Sequence, residues 1–397
     1  MQDALQPIKD LMELLKLEKQ EDFEQFKNFV QGLSLSEKRE KGFTWFPVQS
    51  IKSGYTIGDR AFVVIEYANL GKEQNHLFRS GKVVNLFTQQ AGAYQPEKTG
   101  VINYVNKNKM KIVLNSKDLP DWLNDGQIGV DLMFDERTYL EMEKALKKVL
   151  TASNDRLAEL RRVILGQQAA SSIPIKTIPS IQNLNPSQNK AILQINSNND
   201  ITIVHGPPGT GKTTTLVQAV KLLAKTEAVI LVTAPSNAAV DLLTEKIAAE
   251  DLEVIRIGNI SRVDDSIINH TLEMNLANHP ESKNIKKVKI QAAKARKKAR
   301  KFKRKFGSKE YNERKSLFQE AKDLAAWARQ LEDRLVDQIL SNAKVITATL
   351  VGSSHKILDQ LKFRTVFIDE AAQALEPASW IPILRASRVV LIGDPFQ

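Results

Sequence analysis

The chain has 397 residues, 42% hydrophobic and 26% charged, which suits two or three globular domains with their own cores and excludes a disordered or fibrous chain. Lys and Arg outnumber Asp and Glu by 57 to 46, a net charge of +11, and the absence of cysteine excludes disulfides, zinc–thiolate centres and thiol nucleophiles and fits a reducing compartment. No apolar run approaches the roughly 20 residues that span a bilayer, and Met1-Gln2-Asp3-Ala4 carries neither a basic region nor an apolar stretch, so no membrane partner and a cytoplasmic location are expected.

Leu5, Ile8, Leu11 and Leu15 recur at three- and four-residue steps, so the first 30 residues predict one acidic amphipathic helix within a helical stalk, 1–41. Short β-rich runs follow at 43–48, 61–67, 82–87, 100–105 and 111–114, separated by polar turns such as Asn106-Lys107-Asn108-Lys109. They predict a β-barrel accessory domain over 42–135. Its Trp45, Phe46 and Tyr55 are either core residues or platforms on which bases stack. Helical spacing returns over 137–165 at Tyr139, Met142, Leu146 and Leu150, and a polar, proline-bearing link covers 167–186. Residues 136–183 are accordingly a second stalk and linker.

From 184 to 397, apolar runs at 201–204, 228–232, 344–347, 365–368 and 389–392 alternate with helical segments. Near-continuous Val and Ile of that length belong to strands buried on both faces, so the fold class is α/β, a P-loop domain with a parallel sheet. An insertion at about 265–342 carries two heptad seams, one from Ile285 to Phe306 and one from Leu317 to Leu335, joined by Gly307-Ser308. Two seams and a short joint predict an antiparallel helical hairpin. Residues 283–305 hold thirteen Lys and Arg and no acid; without them the net charge would be −2. Such a block suits a polyanionic partner, and it also suits a plain solvated helix face.

Gly206-Pro207-Pro208-Gly209-Thr210-Gly211-Lys212-Thr213-Thr214 follows the 201–205 strand and opens a helix, a complete Walker A arrangement. The glycines turn backbone N–H groups onto phosphate oxygens, Lys212 reaches the β- and γ-phosphates, and Thr213 offers its hydroxyl to Mg²⁺. Val366-Phe367-Ile368-Asp369-Glu370 supplies an acidic pair at the end of a buried strand. Asp369 would hold Mg²⁺ through water and Glu370 would orient and deprotonate the attacking water. Asn185, Pro186 and Gln188 form a capping box at a helix start. Gln373, four residues beyond Asp369, and Gln397, after Gly393-Asp394-Pro395-Phe396, are candidates to face the γ-phosphate. Ser236 and Asn237 have the chemistry of a helix N-cap.

Asp369-Glu370-Ala371-Ala372-Gln373-Ala374, Gly393-Asp394-Pro395-Phe396-Gln397 and Ala234-Pro235-Ser236-Asn237-Ala238-Ala239-Val240-Asp241 together resemble superfamily 1 nucleic-acid helicases of the upframeshift and immunoglobulin-mu-binding-protein type. Trp380-Ile381-Pro382-Ile383-Leu384, Arg256-Ile257-Gly258 and Asp135-Glu136-Arg137-Thr138-Tyr139 extend the resemblance over most of the chain. It implies a first RecA-like domain decorated by a β-barrel on helical stalks and by a helical insertion. It further implies ATP and Mg²⁺ as cofactors, single-stranded DNA or RNA as partner, and movement 5′ to 3′. By the same resemblance Gln188 reads the adenine, Gln373 and Gln397 sense the γ-phosphate, and the loop of Pro235, Ser236 and Asn237 and the segment holding Thr347 and Thr349 touch single-stranded backbone. Lys294, Lys297, Lys298 and Lys301 of the basic arm join them as strand contacts on the polyanion reading. Family members continue past Gln397 into a second RecA-like domain, absent from this chain, so an ATP-gated binding or scaffolding module without unwinding is the alternative expectation. A GTPase is disfavoured because no Asn-Lys-x-Asp motif is present.

Overall fold

The structure, a computed structural model, describes residues 4–30, 32–55, 61–67, 76–116, 118–124, 127–172, 180–197, 200–258, 263, 265–300 and 307–396. The chain divides into two units, Met1–Ile268 with Lys344–Gln397, and Asn269–Ala343.

In the first unit, α1 (Gln6–Val30) and α2 (Leu35–Glu40) precede six antiparallel strands: β1 (Thr44–Tyr55), β2 (Ala61–Tyr67), β3 (Val83–Thr88), β4 (Glu97–Asn106), β5 (Lys109–Leu114) and β6 (Ile128–Leu132). They close into a barrel in the order β1-β2-β5-β4-β3-β6. Period-2 alternation sends Ala61, Val63 and Ile65 inward, each 0% exposed, while Phe62 and Glu66 face out. The barrel holds one strand more than the five expected runs, because β6 is short and interrupted by Gly129 and does not stand out as an apolar run. That glycine is needed: a Cβ there would collide with the rings of Phe87 and Phe46. Trp45 stacks on Tyr67 at 5.5 Å inside the barrel core, and Phe46 is buried against the half-buried Phe87 at 5.9 Å, so the base-stacking alternative fails for these two; Tyr55 is exposed.

The helix expected over 137–165 is two helices, α3 (Glu136–Thr151) and α4 (Arg156–Ile164). Asn154 adopts φ 53 and Asp155 begins the second by accepting from Ala158 N at 2.8 Å. α1 lies on α3, joined by Lys19–Glu136 at 2.6 Å, by Tyr139 donating to Asp22, and by Phe134 between Phe23 and Tyr139. Arg156 ties α4 to the α/β layer through Asp200 Oδ1 at 2.5 Å and Ser387 O at 2.8 Å.

The α/β layer begins with α5 (Pro186–Ser197), β7 (Ile201–His205), α6 (Lys212–Leu223), β8 (Ile230–Ala234), α7 (Asn237–Ala248) and β9 (Val254–Ile257). The second unit interrupts it with α8 (Leu272–Asn278), α9 (Ser282–Arg300) and α10 (Ser308–Asn342); β10 (Val345–Thr349), β11 (Phe363–Ile368), α11 (Glu376–Ile383) and β12 (Ala386–Gly393) complete it. All six strands are parallel, in the order β7-β12-β11-β8-β10-β9. β9 escapes a hydropathy reading because it is four residues long and carries Arg256. α11 packs against both α3 and β12, so the stalk rests on the same layer as the sheet.

Within the second unit, α9 and α10 pack along small side chains. Ala292, Ala295 and Ala299 on α9 and Ala321 and Ala328 on α10 are buried, and Lys289 pairs with Glu332 at 2.9 Å. Among the described residues, no helix is long and apolar enough to cross a membrane.

Candidate functional site

In a parallel sheet the loops leaving the carboxyl ends of the strands share one edge, where ligands bind. β7, β12 and β11 are neighbours, so the loops after them, carrying the Walker A residues, Asp394 and the acidic pair, meet there. Gly206 is buried, Pro207, Pro208, Gly209 and Thr210 are exposed, and Gly209 and Gly211 both take φ +78, a left-handed conformation that a side chain would strain. α6 starts at Lys212, directing its N-terminal N–H groups at the loop. Lys212 Nζ donates to Gly206 O at 2.6 Å and Pro207 O at 3.1 Å, lying across the cradle. Thr213 is half-buried and Thr214 exposed.

Across the edge, Asp369 is 5% exposed, anchored by its N–H to Thr233 O at 2.8 Å. Burial pushes its carboxyl up to about 6, with the Glu370 charge adding to that effect; the Glu370 backbone, Lys212 and Lys246 pull the other way. A carboxylate so short of solvation has room for a cation's charge. Mg²⁺ fits this donor set, since it keeps most of its water and takes few protein oxygens. Glu370 follows in the left-handed region at φ 54, a strained position for a side-chain-bearing residue. The turn after it presses on Gly393, where a Cβ would stand 3.1 Å from Ala372 N. Gly206 N donates to Gly393 O at 3.3 Å, and His205 Nε2 lies 3.4 Å from Asp394 Oδ1, so the first and last loops are laced together.

Gln188 is a cap and more. It exchanges hydrogen bonds with Asn185, both at 2.9 Å, while its Nε2 donates to Thr210 O at 3.0 Å, placing the amide against the phosphate loop. Gln373 is exposed on the turn, its N–H held by Glu370 O at 3.0 Å. Gln397 lies outside the described residues.

The loops after β8, β9 and β10 occupy the other half of the edge. Ser236 caps α7 by accepting from Ala239 N at 3.1 Å and is exposed; Pro235 and Asn237 are half-buried. Asn237 Oδ1 accepts from Arg256 at 2.9 Å, leaving its amide N–H groups to point elsewhere. Arg256, 1% exposed, also holds Asp241 at 3.0 Å and Ile257 O at 2.5 Å. Neither Arg256 nor Asp241 was singled out as a positioning residue from the sequence; the signal was an arginine inside an otherwise apolar Val-Ile-Arg-Ile run. Thr347 requires a correction. It is 0% exposed, its hydroxyl bonded to Thr244 at 2.7 Å, so it pins α7 to β10 and does not touch a strand. Thr349, at the strand's end, is half-buried and accepts from Gly352 N at 3.0 Å. Beside α7 a cleft of about 850 Å³ is lined by Arg79, Ser80, Lys82, Asp135, Asn237 and Glu245, among others.

In the second unit, Lys294 and Lys298 are exposed on α9, off the alanine seam. The side chain of Lys297 and all of Lys301 lie outside the described residues.

Residues 183–397 match the family described as AAA domain. The chain is 28% identical over 383 residues to DNA-binding protein SMUBP-2 of Mesocricetus auratus, covering 92% of this chain and 37% of that protein. It is 28% identical over 382 residues to DNA polymerase alpha-associated DNA helicase A of Schizosaccharomyces pombe, covering 92% and 56%. ATP-dependent helicase upf1 of the same yeast is 32% identical over 288 residues, 68% of this chain and 28% of that one. The chain thus spans little more than half of these relatives' length at most.

Proposed function

Because the chain belongs to the superfamily 1 helicases of the upframeshift and immunoglobulin-mu-binding-protein type, we propose that it supplies the first RecA-like motor domain and accessory domains of an ATP-dependent, 5′-to-3′ translocase on single-stranded DNA or RNA. The observation that carries this is the convergence of three loops, after β7, β11 and β12, on one edge of adjacent parallel strands. Gln188 selects adenine from beside Thr210. Lys212 leaves the Gly206 and Pro207 carbonyls to hold the β- and γ-phosphates. Thr213 and Asp369 hold Mg²⁺, which, when bound, neutralises phosphate charge as the terminal phosphoryl group departs. Glu370 orients the attacking water and takes its proton, and Gln373 and Gln397 register whether the γ-phosphate is present. Ser236, Asn237, Pro235 and Thr349 face the strand's phosphates from the neighbouring loops; the α9 lysines are a strand contact belonging to the second unit.

Lys212→Ala should lower ATP affinity by at least about tenfold, the worth of a charge-assisted phosphate contact. Titration with a fluorescent ATP analogue checks this, and unchanged affinity would remove Lys212 from the site. Neutralising Lys294, Lys297, Lys298 and Lys301 together should weaken strand binding and reduce the slope of log K against log salt by about 3. An unaltered slope would return that arm to a solvated face. The function as a whole is tested by ATP turnover with and without single strands, followed by duplex unwinding. Turnover indifferent to both DNA and RNA strands would overturn it.

A further inference from the structure

The segment that leads into α5 is closed by one side chain, Asn189. Its Oδ1 accepts from Ile181 N at 2.9 Å, and its Nδ2 donates to the carbonyl oxygens of Ile181, Leu184 and Asn185 at 3.2, 3.0 and 3.2 Å. These bonds from one half-buried amide hold residues 181–185 as a loop, with the buried Leu184 as its plug in the core beside Ile192 and Ile195. A capping box needs only Asn185 and Gln188, so the bonds of Asn189 exceed what the helix start requires. The loop ends at Asn185, whose backbone N–H donates to Gln188 Oε1 at 2.9 Å. On its other side the same Gln188 amide donates from Nε2 to Thr210 O at 3.0 Å. Gly211 leaves room for that amide: a Cβ there would stand 2.5 Å from Gln188 Nε2.

Two backbone groups of opposite polarity therefore fix which way round the Gln188 amide lies. Turned over, it would set N–H against the Asn185 N–H and oxygen against the Thr210 oxygen, losing both bonds. A primary amide carries two N–H donors and two acceptor lone pairs, so with one of each engaged, one donor and one acceptor of Gln188 are left among the described residues. Adenine presents a donor at N6 beside an acceptor at N7, which one orientation of that pair matches and the reverse opposes. Guanine presents two acceptors, O6 and N7, which neither orientation matches. We propose that Asn189 sets the purine preference of the nucleotide site, as a positioning residue that holds the Asn185 N–H, and through it the Gln188 amide, in the orientation that matches adenine. The bonds of Asn189 stay within the segment before α5, whereas the phosphate loop leaves β7, so losing them is felt at the base and spares the phosphates.

This inference rests on the proposed adenine reading by Gln188, and the test separates the two. The 397-residue chain and its Gln188→Ala, Asn189→Ala and Asn189→Asp variants are titrated with an ATP analogue labelled on the ribose, which ATP, GTP and inorganic tripolyphosphate then displace. The parent should prefer ATP to GTP by about a hundredfold, as a site built around hydrogen bonds to one base does. Gln188→Ala should bring the two nucleotides within about threefold of each other. Asn189→Ala should weaken ATP by about tenfold while GTP and tripolyphosphate stay within about twofold of the parent. Asn189→Asp, of equal size but without the N–H donors, should do the same, which makes the bonds and not the volume the cause. Parental preference in both Asn189 variants, with Gln188→Ala having lost it, would overturn the role of Asn189 and leave the adenine reading intact. Equal weakening of ATP, GTP and tripolyphosphate would make Asn189 a support of the phosphate loop and overturn the inference as well. A parent that does not distinguish ATP from GTP would overturn both readings. Circular dichroism melts check that each variant is folded; if Asn189→Ala melts early, Asn189→Asp, whose retained oxygen still accepts from Ile181 N, carries the test.

Discussion

Glu370→Gln should lower ATP turnover by about a thousandfold while nucleotide affinity stays within about twofold of the parent. The reason is geometric. Glu370 stands two residues past the buried end of β11, in the left-handed backbone region, with Asp369 beside it and the phosphate loop leaving β7, one strand beyond the adjacent β12. Glutamine preserves size and hydrogen bonding but cannot accept the water's proton, so binding survives and chemistry fails. Single-turnover hydrolysis beside equilibrium nucleotide binding reads the two separately. Turnover equal to the parent's would exclude Glu370 as the base.

Asp369→Asn is expected to stabilise the nucleotide-free chain while abolishing Mg²⁺-dependent hydrolysis. The unfolded carboxyl titrates at its ordinary 3.8 and the folded one at about 6. Above pH 6 the folded state holds a carboxylate that burial disfavours. The penalty is fully present there, shrinks as pH falls through 6, and vanishes below 3.8, where both states are protonated. That gap corresponds to about 3 kcal/mol. Urea unfolding without Mg²⁺ should therefore show a gain of about 3 kcal/mol for Asp369→Asn at pH 8 and about half of that at pH 5. An equal gain at both values, or a loss at pH 8, would contradict burial as the source of the strain. A site that is destabilising when empty is common where binding supplies the missing charge.

The barrel and the parallel sheet were legible because their evidence is local. Walker A chemistry needs particular glycines at particular spacings, and strands buried on both faces write themselves as Val and Ile. What stayed hidden depends on distant partners. β6 is five residues with a glycine, made a strand by β1 and β3 on either side. β9 hides behind Arg256, whose burial makes sense only once Asp241 and Asn237 are beside it. Thr347 illustrates the converse: a threonine in the apolar run that leads to a strand-contacting loop suits that contact as well as a buried hydroxyl pair, and only Thr244, beside it at the middle of β10, decides between them. Gln188 satisfies its cap and reaches Thr210 at once, so the capping pattern in the sequence described half of what that amide does.

The packing of α11 on α3 couples chemistry to reach. α11 begins six residues after Glu370, and α3 follows the barrel's last strand after only a short connector. Arg156 bolts the next helix, α4, to the base of β7 and β12. The turn behind the acidic pair is therefore joined to the barrel by a continuous packed path, from α11 to α3 and along the short connector to β6, while Arg156 fixes the neighbouring α4 to the sheet.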